Sequence, residues 1–255
     1  MKRLVCLAAL TLAVVTAPAF SQSQRHVPRD ESFASDFQTV PVMANVPGIG
    51  STFQSYVALF NPTSSAYSVT VALYDGAGTK RTALIPLAAG ELKTYENFLD
   101  AVFNGFVGGG AVTFTSPDSP GGTRNNRFII STEVRTSGTR YSTTVPVLDF
   151  AGTSSRSFAP GITVGAGSRT NIGCFDQSGA ANKVTATILD NTGHQTLGTV
   201  TLNLFANGWG QTAVTSVVSG GIVQFDPTDS AVCYAVVVDN STNDGRFISS
   251  AEYKP

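Results

Sequence analysis

Apolar residues recur with a period of two along much of the chain. Val69, Val71 and Leu73 alternate with Thr70, Ala72 and Tyr74, and Val184, Ala186 and Ile188 alternate with Thr185 and Thr187. That spacing turns one face of a strand toward a core and the other toward water. Each run ends in a turn, Asp75-Gly76-Ala77-Gly78 or Asp190-Asn191-Thr192-Gly193. Asp, Asn and Gly tolerate positive φ, so each turn predicts a hairpin to the next strand. One segment keeps another period: between Glu96 and Phe103, the side chains of Phe98, Leu99, Val102 and Phe103 share a helical face. A short helix crossing between sheets is expected there, with a more strand-like counterpart after Gln211. Short strands with turn signals about every ten residues predict an all-β sandwich architecture.

The pattern occurs twice. Phe60 to Gly78 aligns without a gap on Phe175 to Gly193. Ala88-Ala89-Gly90 matches Ala206-Asn207-Gly208, and Gly109 to Phe114 matches Gly220 to Phe225. A duplicated unit that buries its own apolar face is the simplest source of such self-similarity. Two tandem immunoglobulin-like β-sandwich domains are expected, at 36–150 and 151–255.

The N-terminus follows a different rule. Met1-Lys2-Arg3 is a positive n-region, Leu4 to Thr16 an apolar h-region, and Ala17-Pro18-Ala19 places small residues where signal peptidase prefers them. Residues 1–19 are therefore expected to be a signal peptide. The apolar run is too short for the ~20 residues of a bilayer span, and no second run follows. Cys6 sits at the start of the h-region rather than at the cleavage point, so it is no lipid attachment site. Polar, aperiodic residues 20–35 read as a flexible leader. The expected location is extracytoplasmic: periplasm, cell surface or medium.

Composition narrows the function. Only 13% of the 255 residues are charged, against a usual ~25%. Removing Lys2 and Arg3 from the 16 basic residues leaves 14 against 17 acidic. Without a basic stripe the chain lacks the electrostatic footprint of a nucleic-acid binder.

The residues resemble a family of exported bacterial proteins built of two tandem β-sandwich repeats. The first-half cues are Phe60-Asn61-Pro62 ahead of the strand ending Leu73-Tyr74-Asp75, then Tyr141 leading to Val145-Pro146. In the second half they are Arg169-Thr170-Asn171-Ile172-Gly173, Gly208-Trp209-Gly210-Gln211 and Val238-Asp239-Asn240-Ser241-Thr242-Asn243-Asp244. The resemblance spans nearly all of residues 38–255 and implies fold and export, but no activity or catalytic residue. Asp176-Gln177 departs from the Asn-Pro usual at that turn.

Candidate chemistry is sparse. Cys174 and Cys233 fall on inward-facing strand positions, and export makes a disulfide between them plausible. Closing a loop of about 60 residues would stabilise by about 4 kcal/mol in the chain-entropy model. Leu59 and Ile130 hold the matching positions in the first half. Two free buried thiols, or a Cys–His nucleophile pair with His194, are the other readings. No G-x-S-x-G, H-E-x-x-H or C-x-x-C motif occurs. Gly76-Ala77-Gly78-Thr79-Lys80 lacks the spacing and the following helix of a phosphate loop. Asp239, Asn243 and Asp244 are a weak calcium candidate, because the glycine comes one position late and no bidentate Glu follows. Asn240-Ser241-Thr242 matches a glycosylation sequon.

Aromatics are the remaining route to a ligand. Trp209 is the candidate for sugar stacking, ahead of Tyr56, Tyr67 and Tyr74, with core or rim packing as the alternative. The expected function is a non-catalytic structural or adhesion-type protein, without cofactor, that contacts a surface, a partner protein or itself. A carbohydrate-binding module is the alternative, and a hydrolase using His194 a weaker one. Free edge strands would allow partners to bind by strand addition.

Overall fold

The computed structural model of the protein describes residues 34–48, 50–117, 126–139, 141–148, 152 and 154–252. The expected signal peptide, most of the expected leader, and residues 149–151 at the expected domain boundary lie outside them.

Among the described residues the chain is all-β apart from one short helix. The first half contains β1 (Phe37–Pro47), β2 (Thr52–Phe60), β3 (Tyr67–Asp75), β4 (Lys80–Leu87), β5 (Leu92–Tyr95), α1 (Phe98–Val102), β6 (Gly108–Thr115), β7 (Ile129–Thr136) and β8 (Ser142–Thr144). The second contains β9 (Ser157–Val164), β10 (Ser168–Asp176), β11 (Asn182–Leu189), β12 (Thr196–Leu204), β13 (Trp209–Ala213), β14 (Val218–Pro227), β15 (Ala231–Asp239), β16 (Gly245–Ser249) and β17 (Ala251–Glu252).

The strand order repeats. In the first half β4-β3-β6-β1 continues through β2-β7-β8, with β5 also on β2; in the second, β12-β11-β14-β9-β17 and β13-β10-β15-β16 are separate sheets. All these ladders are antiparallel. Register agrees as well as order. Leu73 faces Val112 as Ile188 faces Val223, and Leu59 faces Ile130 as Cys174 faces Cys233. Both halves shift register here, β1 between Val40 and Met43 and β9 between Pro160 and Ile162, but only β1 runs on to pair with β2, which joins the first half's strands into one sheet.

Alternation fills the cores as the sequence requires. Val69, Val71, Leu73, Val112 and Phe114 are buried in the first half, and Val184, Ala186, Ile188, Val223 and Phe225 in the second. The expected helix forms as α1. Asn97 caps it by accepting from the Asp100 N–H, and Phe98 and Leu99 are buried. In the hairpins, Asp75 Oδ1 accepts from the N–H of Ala77 and Thr79, and Asp190 Oδ1 from those of Thr192, His194 and Gln195. Gly78 and Gly193 take the positive φ values of 74° and 76° that such turns demand.

The altered turn also closes. Asn61 Oδ1 accepts from Thr63 N–H while its Nδ2 donates to the carbonyls of Ser65 and Ala88. Asp176, which cannot donate, accepts from Ser178, Gly179, Asn182 and the N–H of Asn207. Both side chains are fully buried. The carboxylate substitutes for the amide because the backbone opposite offers it N–H groups instead of carbonyls.

Ser32–Pro255 forms one compact unit. Among the described residues no helix is long and apolar enough to cross a membrane.

Candidate functional site: the junction between the halves

Strand alternation on β10 and β15 gives the second half two apolar faces. Ile172, Cys174, Cys233 and Ala235 point into its own core. Gly173, Tyr234, Val236 and Val238 occupy the opposite face, which meets the first half. Tyr234 consequently belongs to the first half's core cluster, beside partly buried Val236, Trp209 and Phe247.

Tyr234 organises the contact. It has no solvent exposure, and its ring stacks on Phe247 with centroids 5.1 Å apart. Its hydroxyl accepts from Trp209 Nε1 at 3.0 Å and donates to Gln211 Oε1 at 3.0 Å. Gly173 lies directly opposite on β10, where a Cβ would come within 2.4 Å of Cζ in the Tyr234 ring. Glycine is therefore required for close approach rather than for its φ. Burial drives the Tyr234 phenol well above its ordinary pKa, and the hydrogen bond from Trp209 opposes this only in part. The hydroxyl stays neutral at physiological pH and serves packing.

Trp209 is half-buried. Its ring lies over Gly109, where a Cβ would be 2.9 Å from Cη2, and it also approaches Gly76. The proposed sugar-stacking residue thus forms part of the wall between the halves. A half-open cleft of about 380 Å³ remains beside it, with Val42, Val46, Phe53 and Val236 among its apolar walls and Asn171 among its polar ones. Of the other aromatic candidates, Tyr56 lies under the Arg135 guanidinium at 3.6 Å, Tyr67 donates to the Arg127 carbonyl, and Tyr74 packs on Phe175 at 5.3 Å.

The Asp239–Gly245 segment straps the junction. Arg169 donates to Asn240 Oδ1 at 2.9 Å and to Asn243 Oδ1 at 3.0 Å. Asn243, at φ 59°, reaches across to Ser51 Oγ and accepts from Thr136 Oγ1 at its carbonyl. Asp239 Oδ1 accepts from Ser241 N–H, Ser241 Oγ and Thr242 N–H, which hold its pKa down at about 2. Asp244 Oδ1 accepts from Gly245 N–H. The three calcium candidates thus serve turn donors and a guanidinium. Among the described residues no cluster of three or more His, Cys, Asp or Glu could hold a metal.

Cys174 and Cys233 form a disulfide between directly paired positions of adjacent strands, with Cα atoms 4.1 Å apart. It links neighbours within one sheet. Its sulfurs are unavailable as thiolate nucleophiles, and a buried disulfide fits an oxidising compartment outside the cytoplasm. His194 is exposed in the β11–β12 turn.

No protein-family model matches the chain, and no curated protein matches it in sequence. Of the residues that build the junction, Gly173 and Gly109 enter the sequence reading only within the resemblance and the repeat, and Tyr234 not at all. A signal for the junction was nevertheless present: β15 reads Ala-Val-Cys-Tyr-Ala-Val-Val-Val, an unbroken apolar run, as strands covered on both faces do.

Proposed function

We propose that this is a non-catalytic exported protein of structural or adhesion type, made of two tandem immunoglobulin-like β-sandwiches and akin to the exported bacterial repeat proteins it resembles. Its work is contact, and the favoured mode is strand addition at β12. One observation carries this reading. Among the described residues β4 and β12 are equivalent edge strands, each paired on one side only. β4 carries Lys80, Arg81 and Pro86, residues that discourage pairing, whereas the nine residues of β12, Thr-Leu-Gly-Thr-Val-Thr-Leu-Asn-Leu, include no charge and no proline. Apart from the Leu197 carbonyl, which accepts from Ser216 Oγ, an edge of that length and composition offers N–H and C=O groups to an incoming strand. A second copy of this chain is the simplest donor.

Light scattering with negative-stain microscopy over a range of concentrations tests this. Dimers or longer assemblies are expected, and Thr201→Lys, an exposed position on β12, should return the protein to monomer. A wild-type protein that stays monomeric at high concentration contradicts self-assembly.

A second reading, carbohydrate binding through Trp209, draws support from the cleft beside that ring. Trp209→Ala would then abolish retention on a glycan column, whereas a purely architectural tryptophan would alter stability alone.

A further inference from the structure

A second groove lies on the outer face of the first half, between the sheet β4-β3-β6 and the tip of the second half. It has a volume of about 490 Å³. Ala72 sits at the centre of its floor, paired with Thr82 on β4 and Thr113 on β6; Thr70 pairs with Thr115 one row away. The short Ala72 side chain gives the floor its depth. Tyr74 and Phe175 form one wall, in ring contact at 5.3 Å, and Lys80 Nζ lies 5.5 Å from the Tyr74 centroid. Asn207, on the second half's tip, also lines it.

We propose that this groove binds an acidic polysaccharide, a chain of pyranose rings bearing carboxylates. Three features select that class. The hydroxyls of Thr70, Thr82, Thr115 and Tyr74 have no hydrogen-bond partner among the described residues, and each can both donate and accept, as sugar hydroxyls do. The half-buried Tyr74 ring, backed by buried Phe175, supplies apolar area for a ring face. Among the described residues Lys80, which is exposed, has no ion pair and no acid lines the groove, so the uncompensated charge among them is positive. A peptide adding as a strand is a poorer occupant, because the floor is a sheet face whose backbone groups are already paired within the sheet.

The second half makes the groove specific to the first. Its equivalent face has Thr187 in place of Ala72, Leu189 in place of Tyr74, and Asp226 in place of Thr115, with Asp226 held by Arg156 at 2.6 Å. Thr196 faces Leu189 where Lys80 faces Tyr74, so the small floor residue, the aromatic wall and the cation are all absent from that face. The inference is independent of β12 and of the Trp209 cleft.

Affinity electrophoresis of the purified protein through gels containing polygalacturonate, or neutral dextran, provides the test. Retardation is expected in polygalacturonate alone and should weaken as salt rises. Lys80→Ala should reduce affinity about tenfold, and Thr82→Val with Thr115→Val about tenfold through lost hydrogen bonds. Both variants alter exposed side chains, and an unchanged melting temperature shows that they fold. Tyr74 is left intact because it also supports Phe175. The proposal is overturned by a wild-type protein that is not retarded, by equal retardation in dextran, or by variants that bind as wild type does.

Discussion

The outer face of one sheet can be compared directly between the two halves. On β7 and β2 it carries Ser131, Glu133, Arg135 and Tyr56; at the equivalent places on β15 and β10 it carries Tyr234, Val236, Val238 and Asn171. The first set meets water. Arg135 pairs there with Glu133 at 3.1 Å and Glu96 at 2.8 Å, over the Tyr56 ring. The second set is covered by the other half. The two halves thus share strand order and apolar inward positions, while the equivalent outward face is solvated in one and covered in the other. Inward positions must fill an apolar core in each half; outward positions are free to differ with whatever covers them.

Substitution of equivalent positions should break this symmetry most visibly. Tyr234→Ala removes a fully buried ring from the junction and should cost about 3–5 kcal/mol in urea unfolding. Ser131→Ala, its exposed counterpart, should stay within about 0.5 kcal/mol. Comparable costs at both positions would show that the two faces do not differ as described.

A smaller effect is expected at the inward pair. Cys174→Ala with Cys233→Ala opens a disulfide of sequence separation 59 and should cost about 2–4 kcal/mol. Leu59→Cys with Ile130→Cys should form a cross-link in the first half, detectable as a loss of free thiols on oxidation, because register is shared. Two persistent free thiols would mean that the repeats do not superpose there.

The smallest effect concerns the strap. Asp239 is depressed from 3.8 to about 2 chiefly by the Ser241 hydroxyl, while Thr136, at the equivalent place, does not titrate. A depressed carboxyl contributes stability above its unfolded pKa and loses it as pH falls through the folded one. Between pH 4 and pH 2, wild type should therefore lose more stability than Asp239→Asn. Parallel losses would remove the strap's carboxylate from the account.

Features set by local sequence were legible before the structure. The alternating strands, both Asp-x-x-Gly hairpins, the helix at Phe98 and the opposition of Cys174 to Cys233 depend on period and turn chemistry, which act over a few residues or repeat between copies. The junction was not legible in the same way. Trp209 could be recognised as unusual but not located, because whether an aromatic meets water or another sheet depends on contacts distant in the chain. Asp239 and its neighbours resembled cation ligands because oxygen-rich spacing does not reveal that Arg169, on another strand, donates to Asn240 and Asn243. The threonine groove was missed for a related reason: its floor comes from three strands and its wall from the second half.

Differential scanning calorimetry of the wild-type protein tests the central claim, that the second half docks on the first through Tyr234 and its neighbours to make one body. The junction predicts a single transition whose calorimetric and van't Hoff enthalpies agree, resolving into two when Tyr234 is replaced by Ala. Two independent transitions in the wild-type protein, unchanged by Tyr234→Ala, would contradict it.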